Sequence, residues 1–176
     1  MRLTCDRVSE GAFFTDESPA VQIVSTAGNR VLVQFPYAGD PEDDAQPLRK
    51  HIRVHWNADG TAVALSFHDR FYTQMLVYQL KGSLDEPESF MPVTLPDTVP
   101  VVQAMIPRFK EFRSRWHVGF QGWPGKHMIQ FSAGTGALLK VLGDEDPNFM
   151  AVYSFTVDIR DPKTPVIKRV EWLEEE

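Results

Sequence analysis

Residues 51–80 are the most strongly patterned part of the chain, and they predict three short β-strands joined by two turns. In the first two strands every second residue is apolar: Ile52, Val54 and Trp56, then Val63, Leu65 and Phe67. Asp59-Gly60 lies between these two runs, and a glycine there tolerates the positive φ angle of a tight hairpin turn. This part of the chain is therefore expected to form an antiparallel sheet.

Similar patterns extend the β prediction to most of the chain. A second hairpin is predicted where strands at 21–25 and 30–35 flank the turn sequence Thr26-Ala27-Gly28-Asn29. A further strand is expected at 12–14. The remaining predicted strands lie at 127–132, 137–142, 149–159 and 166–172.

One short helix is predicted near 108–116, because Phe109, Phe112 and Trp116 recur at helical spacing. Residues 81–100 contain four of the thirteen prolines and are predicted to be a surface connection. At 176 residues the chain has the length of one domain, 1–176. The predicted fold is mainly β, either an antiparallel β-sandwich or a twisted, partly closed sheet built from a meander of hairpins.

One segment resembles a known family. Trp56, the Asp59-Gly60 turn and the strand around 76–78 resemble one blade of a WD/TolB-type β-propeller. The resemblance covers residues 51–80 and implies an antiparallel meander, with no functional residues attached. Blades of about 40 residues would allow four at most, and the pattern does not recur at a fixed interval, so a closed propeller is not expected.

The charge of the chain bears on its partners. Its 24 Asp and Glu exceed its 18 Lys and Arg, which gives a formal net charge of -6. Duplex nucleic acid is disfavoured as a partner, because its binding depends on cationic side chains. A basic protein suits the acidic surface better. The alternative that the charge only maintains solubility stays open.

Composition also limits the cellular setting. Cys5 is the only cysteine, so no intramolecular disulfide can form. No stretch approaches the ~18 apolar residues of a membrane span, and the first ten residues lack the apolar core of a signal peptide. We therefore expect a cytoplasmic protein with no membrane partner.

The motif search predicts no metal, no cofactor and no catalytic group. On a strand, His51 and His55 would stand roughly 13 Å apart at ~3.3 Å per residue, too far to share a zinc ion with ligands at ~2.1 Å. Gly134-Thr135-Gly136 lacks the remaining elements of a phosphate loop. No Ser lies in a Gly-x-Ser-x-Gly elbow.

Residues 116–125 contain two Trp, one Phe and three Gly, a composition that suits a binding loop. A packed corner between helix and sheet would have the same composition, and the two interpretations stay open. The predicted binding residues are an acidic group that steers association and an aromatic group that anchors it: Asp40, Glu42, Asp43 and Asp44, then Trp116, Phe120 and Trp123.

The sequence thus favours a non-enzymatic acidic protein-binding domain. One version is an inhibitor or immunity-type protein that masks a basic toxin or nuclease. A second hypothesis is an enzyme or small-molecule-binding protein with a pocket near His117, Trp123 and His127. A third is a subunit of a larger assembly, in which the strand at 149–159 pairs across a symmetry axis.

Overall fold

The computed structural model describes residues 20–25, 30–36, 52–68, 73–82, 89–105, 116–135 and 151–173. These residues form ten strands and one short helix, which confirms the mainly β prediction. In chain order the elements are β1 (Ala20–Ser25), β2 (Arg30–Pro36), β3 (Ile52–Trp56), β4 (Ala62–His68), β5 (Thr73–Leu80), β6 (Phe90–Val93), α1 (Val99–Met105), β7 (Trp116–Gly125), β8 (Met128–Thr135), β9 (Ala151–Asp158) and β10 (Val166–Trp172).

The strands form one hairpin and two larger antiparallel sheets. β1 pairs with β2, and the two four-stranded sheets have the orders β3-β4-β5-β6 and β10-β9-β8-β7. Every strand therefore pairs with its neighbour in sequence, and neither four-stranded sheet closes into a barrel. The first sheet is the antiparallel meander expected over 51–80, while the resemblance to a propeller blade stays a prediction.

The turn between β3 and β4 shows how the sequence sets the local structure. Asn57 accepts a hydrogen bond from Ala62 N at its side-chain Oδ1 (2.9 Å), and Gly60 takes the positive φ of 71°. Asp59 Oδ1 accepts bonds from Thr61 N at 3.2 Å and Thr61 Oγ1 at 2.6 Å. Short polar side chains thus satisfy the backbone groups that the reversal would otherwise leave unpaired.

The proline-containing segment 81–100 contains strand β6 and the start of helix α1, two regular elements that the sequence does not predict. Pro92 lies in β6, and β6 is an edge strand, where a missing N–H costs no ladder bond. Val99 N donates to Asp97 Oδ1 at 3.0 Å, and Pro100 occupies the first turn of α1. An acidic residue before such a proline is a helix-start signal.

The structure changes the interpretation of residues 108–125. The described helix is α1, earlier in the chain than the predicted helix at 108–116. Residues 108–115 lie outside the described residues, and Trp116 begins β7. Residues 116–125, whose composition suits either a binding loop or a packed corner, form strand β7, which pairs with β8 through irregular registers on both sides of Gly122.

Burial differs between the two large sheets. One continuous core lies between them and receives residues from both, with Phe131, Phe155 and Ile129 at 0–1% exposure. The opposite face of β4 in the first sheet is also buried, because Val63 and Leu65 are both 0% exposed and pack with Phe90. On the same face Leu76 of β5, the cross-strand partner of Leu65, is 38% exposed, so β4 is the enclosed strand of the first sheet.

The remaining strand predictions have mixed outcomes. Residues 166–172 form β10 as predicted, and the predicted strand at 149–159 corresponds to β9, where Tyr153, Phe155 and Val157 are buried. β9 pairs with β8 on one side and β10 on the other. The expected pairing of this strand across a symmetry axis is therefore wrong, because both of its edges are occupied. The strands predicted at 12–14 and 137–142 lie outside the described residues.

Candidate functional site

Two of the predicted aromatic anchors connect the two large sheets. The Phe120 ring stacks on His55 of β3 with ring centroids 4.1 Å apart. The Trp123 ring lies 5.9 Å from Phe120, and Trp123 Nε1 donates to the carbonyl oxygen of His55 at 3.2 Å. His55 in turn lies 3.1 Å from the hydroxyl of Ser66, measured from Nε2. The contacts of Phe120 and Trp123 with His55 cross from β7 to the first sheet.

Trp116 makes the corresponding contact near the start of β7. Its Nε1 donates to Thr98 Oγ1 at 3.1 Å, and Thr98 precedes helix α1. We call Trp116, Phe120, Trp123 and His55 the aromatic seam. All four side chains are half-buried. The seam joins β7 to the first sheet and to α1, while part of each side chain remains accessible.

The predicted acidic group is Asp40, Glu42, Asp43 and Asp44, and all four lie outside the described residues. Charge is nevertheless divided along the chain. The described residues contain eight Lys and Arg against five Asp and Glu. The rest of the sequence contains ten against nineteen. The negative net charge is therefore carried by residues outside the described strands.

A polar junction joins the β3–β4 turn to the β7–β8 turn. The buried Asn57 donates from Nδ2 to the carbonyl oxygen of Lys126 at 3.1 Å, and Lys126 Nζ lies 3.1 Å from Asp59 Oδ2. The hydrogen bond from Thr61, with help from Lys126, lowers the pKa of Asp59 to about 2. Asp59 is therefore ionised at neutral pH and fixed in place.

The sequence also predicts an enzyme or small-molecule pocket near His117, Trp123 and His127, but the two histidines do not meet in one pocket. His117 pairs with Gly134 near the start of β7, whereas His127 lies in the turn after β7. Strand geometry of ~3.3 Å per residue separates the two histidines by more than ~20 Å. His127 contacts the first sheet instead, where its Nδ1 lies 3.3 Å from Gln79 Nε2.

The outer face of the second sheet is polar and internally hydrogen-bonded. Ser154, 3% exposed, accepts a bond from Gln130 Nε2 at 3.0 Å and donates to Gln121 Oε1 at 2.6 Å. Next to these hydrogen bonds, Ser132 Oγ donates to the carbonyl oxygen of Gly119 at 3.2 Å. A Cβ at Gly119 would come within 2.9 Å of that hydroxyl. The face is thus a self-satisfied polar layer.

A cleft of about 320 Å³ lies where the end of β5 and the start of β6 meet the β9–β10 connection. It is open to solvent. Its border combines cationic and apolar side chains: Lys81, Arg160 and Lys163, with Leu80, Met91 and Pro162. Gln79 and Asp161 complete the border. We call this site the basic cleft. Sequence reasoning missed it, because Lys81 and Lys163 are far apart in the chain and only sheet packing brings them together.

The β9–β10 connection is held by its own carboxylates. Asp158, 7% exposed, accepts bonds from the backbone N, Nε and Nη2 of Arg160, at 2.6–3.1 Å. These bonds with Arg160 lower the pKa of Asp158 to about 2. Asp161 accepts from Lys163 N at 2.9 Å and from Thr164 Oγ1 at 2.6 Å, and the Thr164 bond is the main cause of its lowered pKa.

Searches of the described residues find no group of three or more His, Cys, Asp or Glu side chains arranged to hold a metal ion. Within the same ranges, no helix has the length and hydropathy that crossing a bilayer requires. Comparison with protein families, with curated proteins and with solved structures finds no match to this chain.

Proposed function

We propose that this chain is a non-enzymatic acidic protein-binding domain that masks a basic protein, in the manner of an inhibitor or immunity protein of a toxin or nuclease. The observation that carries the proposal is the division of charge. The described residues hold eight cations against five acidic side chains, and the other nineteen of the 24 acidic residues lie in the rest of the sequence. Such an excess of one sign attracts a partner of the opposite sign.

The described sheets supply a stable base for such contacts. The aromatic seam and the Asn57–Lys126 junction join the two sheets through hydrogen bonds and ring stacking. A pre-ordered scaffold lowers the entropy lost when a partner binds. Trp116, Phe120 and Trp123 enter the proposal through the accessible part of their side chains, since aromatic residues are enriched among binding hot spots.

The test begins with capture of partners from the native cell on the immobilised full chain. We expect basic proteins to be retained. Stopped-flow kinetics with a captured partner should then show an association rate that falls about tenfold or more as salt rises. The informative range is about 0.01 M to 1 M, over which the Debye length falls from about 30 Å to about 3 Å.

Two triple variants distinguish the effect of the predicted acidic group on association from the effect of net charge alone. Neutralising the acidic run, in E42Q/D43N/D44N, should slow association, because these charges steer the partner. The matched control E174Q/E175Q/E176Q removes the same number of charges and should associate faster than the first variant. Capture of acidic proteins alone, or an association rate unaffected by salt, would refute the proposal.

A further inference from the structure

We propose that the basic cleft binds a small organic anion, a phosphate or carboxylate that carries a compact apolar group. This inference is independent of the proposed protein-binding function. It rests on described residues of the two large sheets, whereas the proposed basic partner is attracted by acidic residues elsewhere in the sequence. Three properties of the cleft support it: two lysines without an ion pair among the described residues, a fixed frame and an apolar border.

The cations of the cleft are available to a ligand. Neither Lys81 nor Lys163 forms an ion pair with any described residue, and both side chains are exposed. Arg160 uses Nε and Nη2 for Asp158, which leaves its other terminal nitrogen free of that carboxylate. Asp161 also borders the cleft, but both of its oxygens accept bonds from its own loop. Asp161 keeps its negative charge, so the border of the cleft carries three cations against one carboxylate.

The frame of the cleft is held from both sheets. The carbonyl oxygen of Pro162 accepts a bond from Thr94 N at 2.9 Å, which fixes the β9–β10 connection to the first sheet. Ile159 N donates to the carbonyl oxygen of His127 at 2.9 Å, which fixes the same connection to the second sheet. Because the loop is already ordered, a ligand meets the cations with little further loss of entropy.

The apolar border sets the class of anion. Leu80, Met91 and Pro162 offer hydrocarbon surface beside the cations, so an anion with an apolar group gains more than a bare ion. A volume of about 320 Å³ lies at the small end of ligand sites, which run from ~300 to ~1,000 Å³. This space suits a single ring or a short chain.

Gln79 adds a polar group to the same border. Its Nε2 lies 3.3 Å from His127 Nδ1, and its Oε1 is buried without a hydrogen-bond partner among the described residues. A buried acceptor without a partner loses the free energy of its hydration. Gln79 therefore adds a polar side chain with an unsatisfied acceptor to the border of the cleft.

The experiment is titration calorimetry on the full chain with three probes: phenyl phosphate, inorganic phosphate and benzyl alcohol. We expect phenyl phosphate to bind at millimolar or lower concentration and more tightly than inorganic phosphate. The uncharged alcohol should give no heat of binding. Absence of phenyl phosphate binding overturns the proposal, and equal affinity for the two phosphates overturns the apolar part of the site.

Matched double variants locate the binding. K81Q/K163Q should weaken phenyl phosphate binding by about tenfold or more, because each charge-assisted contact contributes about one power of ten or more. R53Q/R169Q removes two exposed cations elsewhere and should bind as the wild type does. Equal weakening in both variants would show general charge attraction and refute the site. Equal thermal midpoints of the variants establish that both are folded.

The same variants separate this inference from the proposed function. K81Q/K163Q should keep its association with a basic protein partner, since it retains every acidic residue. Loss of phenyl phosphate binding without loss of partner binding places the anion in the cleft alone. Retention of full phenyl phosphate affinity in K81Q/K163Q would overturn the anion site and leave the protein-binding proposal unaffected.

Discussion

The two four-stranded sheets share a topology but differ in what covers them. In the first sheet, β4 is buried on both faces: Val63 and Leu65 point one way, and Ala62 and Ala64 point toward the second sheet, all at 0–1% exposure. In the second sheet, only the inner face is apolar. Its outer face is the polar layer around Ser154.

This difference follows from composition along single strands. β4 reads AVALSFH, an almost continuous apolar run of the kind that buries both faces of a strand. β9 reads AVYSFTVD, in which apolar and polar residues alternate as in a sheet with one apolar face. The alanines of β4 also leave room for large rings from the second sheet. A strand's apolar pattern thus predicts how many layers enclose it.

The largest expected effect comes from the shared core. Phe155→Ala should lower the free energy of unfolding by about 3–5 kcal/mol, because the ring is fully buried and stacks on Phe131 at 5.7 Å. Thr156→Ala, one residue along β9 and on the polar face, should change it by about 0.5 kcal/mol or less. Urea denaturation of both variants measures the difference. Similar losses of unfolding free energy in the two variants would show that the two faces of β9 contribute equally, which would contradict the difference between the apolar inner face and the polar outer face.

Overpacking tests the first sheet. Ala64→Leu should destabilise the fold by about 1–3 kcal/mol, because the site faces the second sheet at 0% exposure and has no room for three more carbon atoms. Ala104→Leu, at an exposed position of α1, is the control and should be nearly neutral. Thermal unfolding measures both. A tolerated leucine at position 64 would mean that the sheets can separate locally.

The smallest effect concerns acid stability at the edges of the two sheets. The pKa of Asp158 falls from 3.8 to about 2 because its ionised form is bonded to Arg160. A lowered folded-state pKa stabilises the protein above the unfolded value and loses that contribution as pH falls through the folded one. Wild type should therefore exceed Asp158→Asn in stability at pH 5, and the gap should close between about pH 4 and pH 2.

Asp59→Asn provides the comparison within the first sheet. In the wild type the pKa of Asp59 is also lowered to about 2, but the Asp59 side chain is 39% exposed, against 8% for that of Asp158. Water screens the exposed group more strongly, so its substitution should have the smaller effect. Denaturation midpoints across the same pH range test this order. A larger effect at Asp59 would contradict it.

Much of the fold could be predicted from the sequence because alternation and turn residues act locally. The β3–β4 hairpin follows from Asp59-Gly60 and its flanking apolar residues, and β10 occupies the residues predicted for it. The sequence does not predict β6 and α1, because the prolines of residues 81–100 indicate breaks in regular structure. Pro92 is tolerated because β6 lies at a sheet edge, which only the sheet order reveals.

The candidate sites were harder to predict for a physical reason. The composition of residues 116–125 suits both a binding loop and a packed element, and the partners of Phe120 and Trp123 lie in β3. The basic cleft depends on Lys81 and Lys163, which no local pattern connects. Sequence shows which residues carry charge and aromatic surface, but pairing between distant segments decides where those groups meet.

The neighbour-to-neighbour strand order has a consequence for how the chain folds. Each large sheet is built from hairpins that close over short stretches, whereas the bonds between the sheets join residues 48 to 69 positions apart, from Gln79–His127 to Asn57–Lys126. Long closures cost more chain entropy and form later. We therefore expect two meanders to form first and to dock in the rate-limiting step.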